Sequence, residues 1–376
     1  LEEIVATDTQ SRDIDLVLIT GAGASRSFGA EKPFPLMAEW SDYLIKKVVT
    51  SRSPSSMAMR SMLAFGNNMD GPTFEAALGN FLRRAQAFRE VTFFLKPSLD
   101  IANVRQEFKM QMQSGMTALE EWHHWTEAVI DELIEMLNQT LFEQFAGWID
   151  EDAAAAGYAW LLGALEIKQG TPWIYATTNY DVVGETALKK LGLRVDWGRP
   201  PQLLNPSADE ILQVEGLIDG IPRYVPILHL HGRIGWYLRP GTNDGLVRDM
   251  IVNKYNKEWG TPIVMWPDDR KDTSSYQATQ VINQLWQQFE QALGRARRVL
   301  VLGHSLHDEL MVRAIRERAR PDRVAVSVYP RDSQEYQTEL DLMKIALPGA
   351  TFLPIEFGPK ANSEAEIARW VQRTKV

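Results

Sequence analysis

Four short segments of the chain carry residue types that can hold phosphates, orient a sugar or move a proton. The first is LITGAGASRSFG, where an apolar run ends at Thr20 and the backbone turns through Gly21 and Gly23. Glycine suits a sharp turn that lets a pyrophosphate approach the main chain. Amides from Gly21, Ala22 and Gly23 at the following helix start can hold the phosphates, and Ser25 can add a hydroxyl. The turn lacks both the GxGxxG spacing of dehydrogenases and the lysine of a P-loop, so a plain strand-to-helix connection stays open. The second segment is ATTNYDVV, residues 176–183, an apolar run ending in Thr177, Thr178, Asn179, Tyr180 and Asp181. Polar residues at the end of a buried strand face the ligand crevice of a doubly wound sheet. Either Asn179 or Asp181 could instead cap the next helix, and for Asp181 the two readings are equal.

The third segment is ILHLHGRIGW, residues 227–236. On a strand His229 and His231 share a face. His231, at the strand end before Gly232, suits a general base, because imidazole titrates near neutrality. His229 keeps a structural reading. In the fourth segment, VLVLGHSLHDELM, residues 299–311, a strand ends in Gly303 and Ser305 opens a helix, another place for a phosphate or ribose. Asp308 and Glu309 fall in that helix's first turn, where capping and the helix dipole account for them.

These segments need a frame. Short apolar runs at 14–20, 171–179, 224–232, 297–305 and 322–330, with a sixth candidate at 350–357, read as strands. Helical patterns lie between them: VGETALKKLG, TQVINQLWQQFEQALGRA and DELMVRAIRERA. Alternation of this kind predicts an α/β, Rossmann-like, doubly wound parallel sheet. Residues 41–165 differ. Apolar positions there recur at helical spacing with little strand signal, as in TALEEWHHWTEAVIDELIEMLNQTLFEQF. The expected organisation is a Rossmann-like domain from 1–40 and 166–376, with 41–165 as a helical insertion. Trp122, His123, His124 and Trp125 read as residues of that insertion's helical packing. The loops at 198–222 and 238–247 read as irregular.

Composition narrows the function classes. The chain has 376 residues, 45% of them hydrophobic and 24% charged, as in ordinary globular proteins. With no cysteine it has no disulfide, no thiolate nucleophile and no zinc ribbon. The six histidines form no HExxH pattern, so no metal is expected. A net charge of −9 argues against a broad nucleic-acid footprint. The five arginines of RAIRERARPDR, 313–323, read as a solvated face. No apolar run is long enough to span a bilayer, and the polar, acidic start is no secretory signal, so the expected location is cytoplasmic. The initial leucine leaves open that the chain is part of a longer protein.

Taken in order, the four segments resemble the sirtuin family. Its GAG-x-S turn corresponds to Gly21-Ala22-Gly23-Ala24-Ser25, and its T-Q-N-x-D strand end to Thr177-Thr178-Asn179-Tyr180-Asp181. Its H-G corresponds to His231-Gly232, and its G-[TS]-S turn to Gly303-His304-Ser305. The resemblance covers roughly 14–40 and 170–330. It departs from deacylating sirtuins in lacking the four-cysteine zinc ribbon and the Gly-Ile-Pro-Asp-Phe-Arg segment. Thr178, Pro35 and Trp40 look closer to bacterial sirtuin-like domains of antiphage defence.

The resemblance implies NAD as substrate and hydrolysis to nicotinamide and ADP-ribose, with Asn179 and His231 catalytic. Gly21, Ala22, Gly23 and Ser25 would hold pyrophosphate, Asp181 the nicotinamide or ribose end and Ser305 the adenosine side, with Thr178 and Gly303 also among the residues that bind NAD. A free NAD hydrolase would be toxic, so gating by a homo-oligomer or a regulatory defence partner is expected. The competing readings are a binding module sensing NAD or ADP-ribose, and an NAD-dependent deacylase.

Overall fold

In the computed structural model the described residues are 14–28, 37–50, 132, 135–136, 138–144, 149–168, 171–196, 217–218, 221–222, 224–238, 247–249, 261–265, 279–328, 334–356 and 361–375. Trp122, His123, His124, Trp125 and Pro35, and most of the 198–222 loop, lie outside them.

The frame is a seven-stranded parallel sheet. Its strands are β1 (Ile14–Thr20), β2 (Trp173–Thr177), β3 (Arg194–Asp196), β6 (Tyr224–His229), β10 (Ala296–Leu302), β11 (Val324–Val328) and β12 (Thr351–Pro354), in the order β12-β11-β10-β1-β2-β6-β3. All six strands expected from the apolar runs are present, including the one at 350–357. Edge strand β3 was not anticipated, because RVD has neither the length nor the apolar run that marks a buried strand.

Helices cover both faces. Leu16 and Leu18 of β1 enter one core with Phe28 of α1 (Ala22–Phe28), Tyr158 and Leu161 of α3 (Glu151–Ala164), Leu188 of α4 (Val183–Lys190) and Trp370 of α8 (Ala361–Arg373). Val17 and Ile19, one residue out of phase, enter the other with Phe289 of α5 (Thr279–Arg295), Ile315 of α6 (Glu309–Arg318) and Met343 of α7 (Gln334–Ala346). A strand buried on both sides is apolar at successive positions, which is why residues 16–19 read as an unbroken apolar run.

Within 41–165 the described residues are helical or irregular, and α2 (Met37–Thr50) crosses the expected boundary at residue 40. Helix α3 starts at Asp150, whose side chain caps the Ala153 amide at 2.9 Å, and it packs on α1 and α4. The 198–222 segment, read as irregular, contains two short strands, and the 238–247 segment is flanked by strands at its two ends, its interior lying outside the described residues. Leu217–Ile218 (β4) pairs with Ile221–Pro222 (β5), and Val247–Asp249 (β8) pairs with β7 (Gly232–Leu238). Strand β7 also pairs with β9 (Thr261–Val264), making a small antiparallel sheet beyond β6. These ladders are two to four residues long, too short for a periodic signal. No helix among the described residues is long and apolar enough to cross a membrane.

The chain leaves β1 toward β2 and β6, then crosses to β10 on the opposite side. Between β1 and β10 the order reverses, and the strand ends there diverge into the crevice where such sheets take ligands.

Candidate functional site

At this reversal two glycine turns press together. Gly23 donates its N–H to the Gly303 carbonyl at 3.0 Å, and Gly21 donates to Leu302 at 2.9 Å. A Cβ on Gly21 would stand 2.6 Å from the Gly303 oxygen, and one on Gly303 would stand 2.3 Å from the Ala24 nitrogen. Gly303 also has φ +63°, in the left-handed region. Glycine is required here by the contact between the turns, a reason the single turn LITGAGAS did not display.

Asn179 ties the end of β2 to this junction. Its Nδ2 donates to the Gly21 carbonyl at 3.0 Å and to Ser25 Oγ at 2.8 Å. Ser25 Oγ in turn donates to Asp181 Oδ1 at 2.9 Å. The same Asp181 oxygen accepts the Val183 amide at 3.0 Å, so Asp181 meets the first amide of α4 from one residue outside its N-cap, Val182, and joins the cluster as well. Burial pushes the Asp181 carboxyl up to about 6, against the lowering effect of the bonds from Val183 and Ser25. Thr178 donates its amide to the Thr20 carbonyl at 3.2 Å. Below it, Thr20 Oγ1 donates to the Tyr175 hydroxyl at 2.7 Å, which meets the Tyr158 hydroxyl at 3.0 Å. Burial raises Tyr175 to about 12 and Tyr158 well above its ordinary value, so both remain neutral hydrogen-bonding groups.

The two histidines separate. Strand β6 ends at His229, and His231 lies in the turn before β7. His231 Nε2 is 2.6 Å from Asp308 Oδ2, and both side chains are buried. Asp308 Oδ1 accepts the Met311 amide at 3.2 Å, so one carboxylate caps α6 and holds an imidazole. Tyr180 and Trp286 flank the His231 ring at 6.3 and 6.4 Å between centroids. The backbone of His231 is also fastened, its carbonyl accepting the Met265 amide at 2.6 Å.

His229 stands instead in a buried charge cluster. Arg233 Nε and one terminal nitrogen donate to the Glu185 carboxylate at 2.8 and 3.1 Å, and His229 Nε2 lies 3.7 Å from it. Lys189 reaches the same carboxylate from one turn along α4. Burial pushes Glu185 up, but His229, Arg233 and Lys189 outweigh it and hold the carboxyl well below the usual range. Burial and Arg233 push His229 down, against Glu185.

The structure thus brings together Gly21, Ala22, Gly23, Ser25, Thr178, Asn179, Asp181 and Gly303. His231 is held at the neighbouring end of β6 by Asp308, while Ser305 is exposed on the turn between them. That turn carries a second strained position, since buried Leu306 has φ +61°. Sequence reasoning missed Asp308 as a partner of His231, because capping already explained it. The Arg233–Glu185 pair was missed because no local motif joins residues 48 apart. Among the described residues no group of three or more His, Cys, Asp or Glu is placed to hold a metal. Of the five arginines at 313–323, Arg318 pairs with Glu290 and Arg320 with Asp322 on the exposed surface, as expected of a solvated face.

Residues 174–346 match the family model described as a SIR2-like domain, a likeness that points to NAD-related chemistry. The matched stretch contains Asn179, Asp181, His231, Gly303, Ser305 and Asp308. It begins after the Gly21–Ser25 turn, to which Asn179 is bonded. No curated protein matches the chain.

Proposed function

We propose that this SIR2-like domain takes NAD as a substrate at the ends of β1, β2, β6 and β10 and hydrolyses its nicotinamide–ribose bond, releasing nicotinamide and ADP-ribose. The observation that carries the reading is the Asn179 carboxamide. It is bonded to both the Gly21 carbonyl and Ser25, at a strand end next to the one that carries His231.

The chemistry asks little of a protein acid. Nicotinamide leaves from a cationic ring and needs no protonation, so the protein must hold the ribose, stabilise charge at the anomeric carbon and deliver water. Asn179 orients the ribose or the water. His231 takes one proton from the attacking water. The oxygen's freed pair forms the new bond to the anomeric carbon, while the C–N pair leaves with nicotinamide and neutralises its ring. The Gly21–Ser25 turn serves the pyrophosphate, Asp181 and Thr178 the nicotinamide or ribose end, and Gly303 with Ser305 the adenosine side.

Gly23 N–H and Ser25 Oγ already have internal partners. Phosphate binding there requires the junction to loosen, which suits an enzyme held in check. In this reading the trigger is self-assembly or a regulatory partner, and the role is NAD depletion in bacterial antiphage defence, within the cytoplasm. The test is purified protein with NAD, alone and with candidate activators, followed by chromatography of nicotinamide and ADP-ribose. Release that disappears in both Asn179→Ala and His231→Ala, with circular dichroism showing each variant still folded at the assay temperature, is expected. Full turnover in both variants would overturn the assignment. Tight calorimetric binding of NAD without release would instead select a sensing module, and NAD-dependent mass loss from an acetyl-lysine peptide would select a deacylase.

A further inference from the structure

We infer that Asp308 is a positioning residue that fixes which nitrogen of His231 acts as the base, an inference that rests on the proposed role of His231. The two residues are 77 apart in sequence and belong to different elements, the β6–β7 turn and the start of α6. Their 2.6 Å separation lies at the short end for an imidazole and a carboxylate. Both are almost fully buried, Asp308 at 1% exposure and His231 at 5%.

An ionised carboxylate only accepts hydrogen bonds, so Nε2 carries the ring proton in this pair. The neutral imidazole then keeps its lone pair on Nδ1, and Nδ1 is the atom that accepts the proton of the attacking water. When it does so, the O–H bond breaks, an Nδ1–H bond forms, and the ring becomes a cation. Asp308 offsets that charge without itself taking the proton, the logic of a serine-protease Asp–His pair.

Capping alone does not account for Asp308. The cap uses Oδ1, toward Met311, while Oδ2 faces His231. Asn and Ser are both good N-caps, so helix α6 tolerates either one. Neither supplies a carboxylate to His231, and Ser is too short to take the place of Oδ2. Substitution at this position therefore separates the cap from the imidazole contact.

The experiment uses the full chain labelled with 15N-histidine, with the His231 signal assigned by its loss in His231→Gln. In the wild-type protein the ring is expected as the Nε2–H tautomer. In Asp308→Asn and Asp308→Ser that tautomer is expected to be lost or mixed. In the nicotinamide-release assay both variants should lower kcat about 100-fold while KM changes by less than about threefold, the signature of a lost proton-transfer contribution. A wild-type Nδ1–H tautomer, or an Asp308→Ser protein with unchanged tautomer and kcat, would overturn the inference. Failure of the wild-type protein to release nicotinamide under any condition counts against the proposed reaction. The tautomer would still decide the role of Asp308.

Discussion

Ser25 and Asn179 stand 154 residues apart in the sequence and 2.8 Å apart in the structure, the hydroxyl of one accepting from the carboxamide of the other. The same hydroxyl donates to Asp181 at 2.9 Å. A single buried oxygen thus joins the glycine turn after β1 to the strand end after β2.

Removing that oxygen leaves two buried polar groups each short of a partner. Ser25→Ala is expected to lower stability by about 1–3 kcal/mol, measured as a shift in the urea midpoint at constant m. The same change paired with Asn179→Ala should be non-additive by about 0.5 kcal/mol or more. Strict additivity would mean the bond carries no energy.

Asp181 makes stability depend on pH in an unusual direction. Its folded value of about 6 lies above the ordinary 3.8, so between those limits the folded state holds a proton that the unfolded chain has released. Stability from this group is therefore highest below pH 4 and is lost as pH rises toward 6 and beyond. A shift of about two units corresponds to roughly 3 kcal/mol. Asn keeps the oxygen that accepts from Val183 and Ser25 but cannot ionise. Asp181→Asn should match wild type near pH 4 and exceed it at pH 8, by urea denaturation across that range. A constant difference between the two proteins would refute the argument.

The Glu185–Arg233 pair makes the opposite demand. With Arg233 1% exposed, Glu185→Gln removes the buried negative charge that receives two of its hydrogen bonds. A loss of about 3–5 kcal/mol is expected in thermal or urea unfolding. Because Glu185 is held below its ordinary range when folded, its contribution is present above the unfolded value and disappears as pH falls. A loss under 1 kcal/mol would show that water reaches this pair.

Glycines divide by what a methyl would meet. Gly303→Ala combines φ +63° with a 2.3 Å approach to the Ala24 nitrogen, and should cost about 2–5 kcal/mol and disturb the junction. Gly163, in α3, has nothing within 4 Å of its absent Cβ. Gly163→Ala should raise stability by about 0.5–1 kcal/mol, because alanine restricts the unfolded chain and favours helix. Differential scanning calorimetry on the two variants separates the cases, and equal effects would contradict the packing described.

The core strands of the sheet were legible from residues alone, because a strand buried on both faces is apolar at successive positions and short. The place of Asn179 at a strand end was legible for a related reason, since it directly follows such a run. Strands β3, β4, β5 and β8 were not, since two or three residues carry no period and their pairing is set by chain held nearby in space. Asp308 shows the same boundary within one side chain. One oxygen serves its own helix, a relation three residues long that the local pattern states completely. The other serves His231, and only the path of the chain through the sheet brings that ring within reach. Local preference depends on neighbours along the backbone. Which glycine turn touches which, and which carboxylate meets which imidazole, depends on the crossover from β6 to β10.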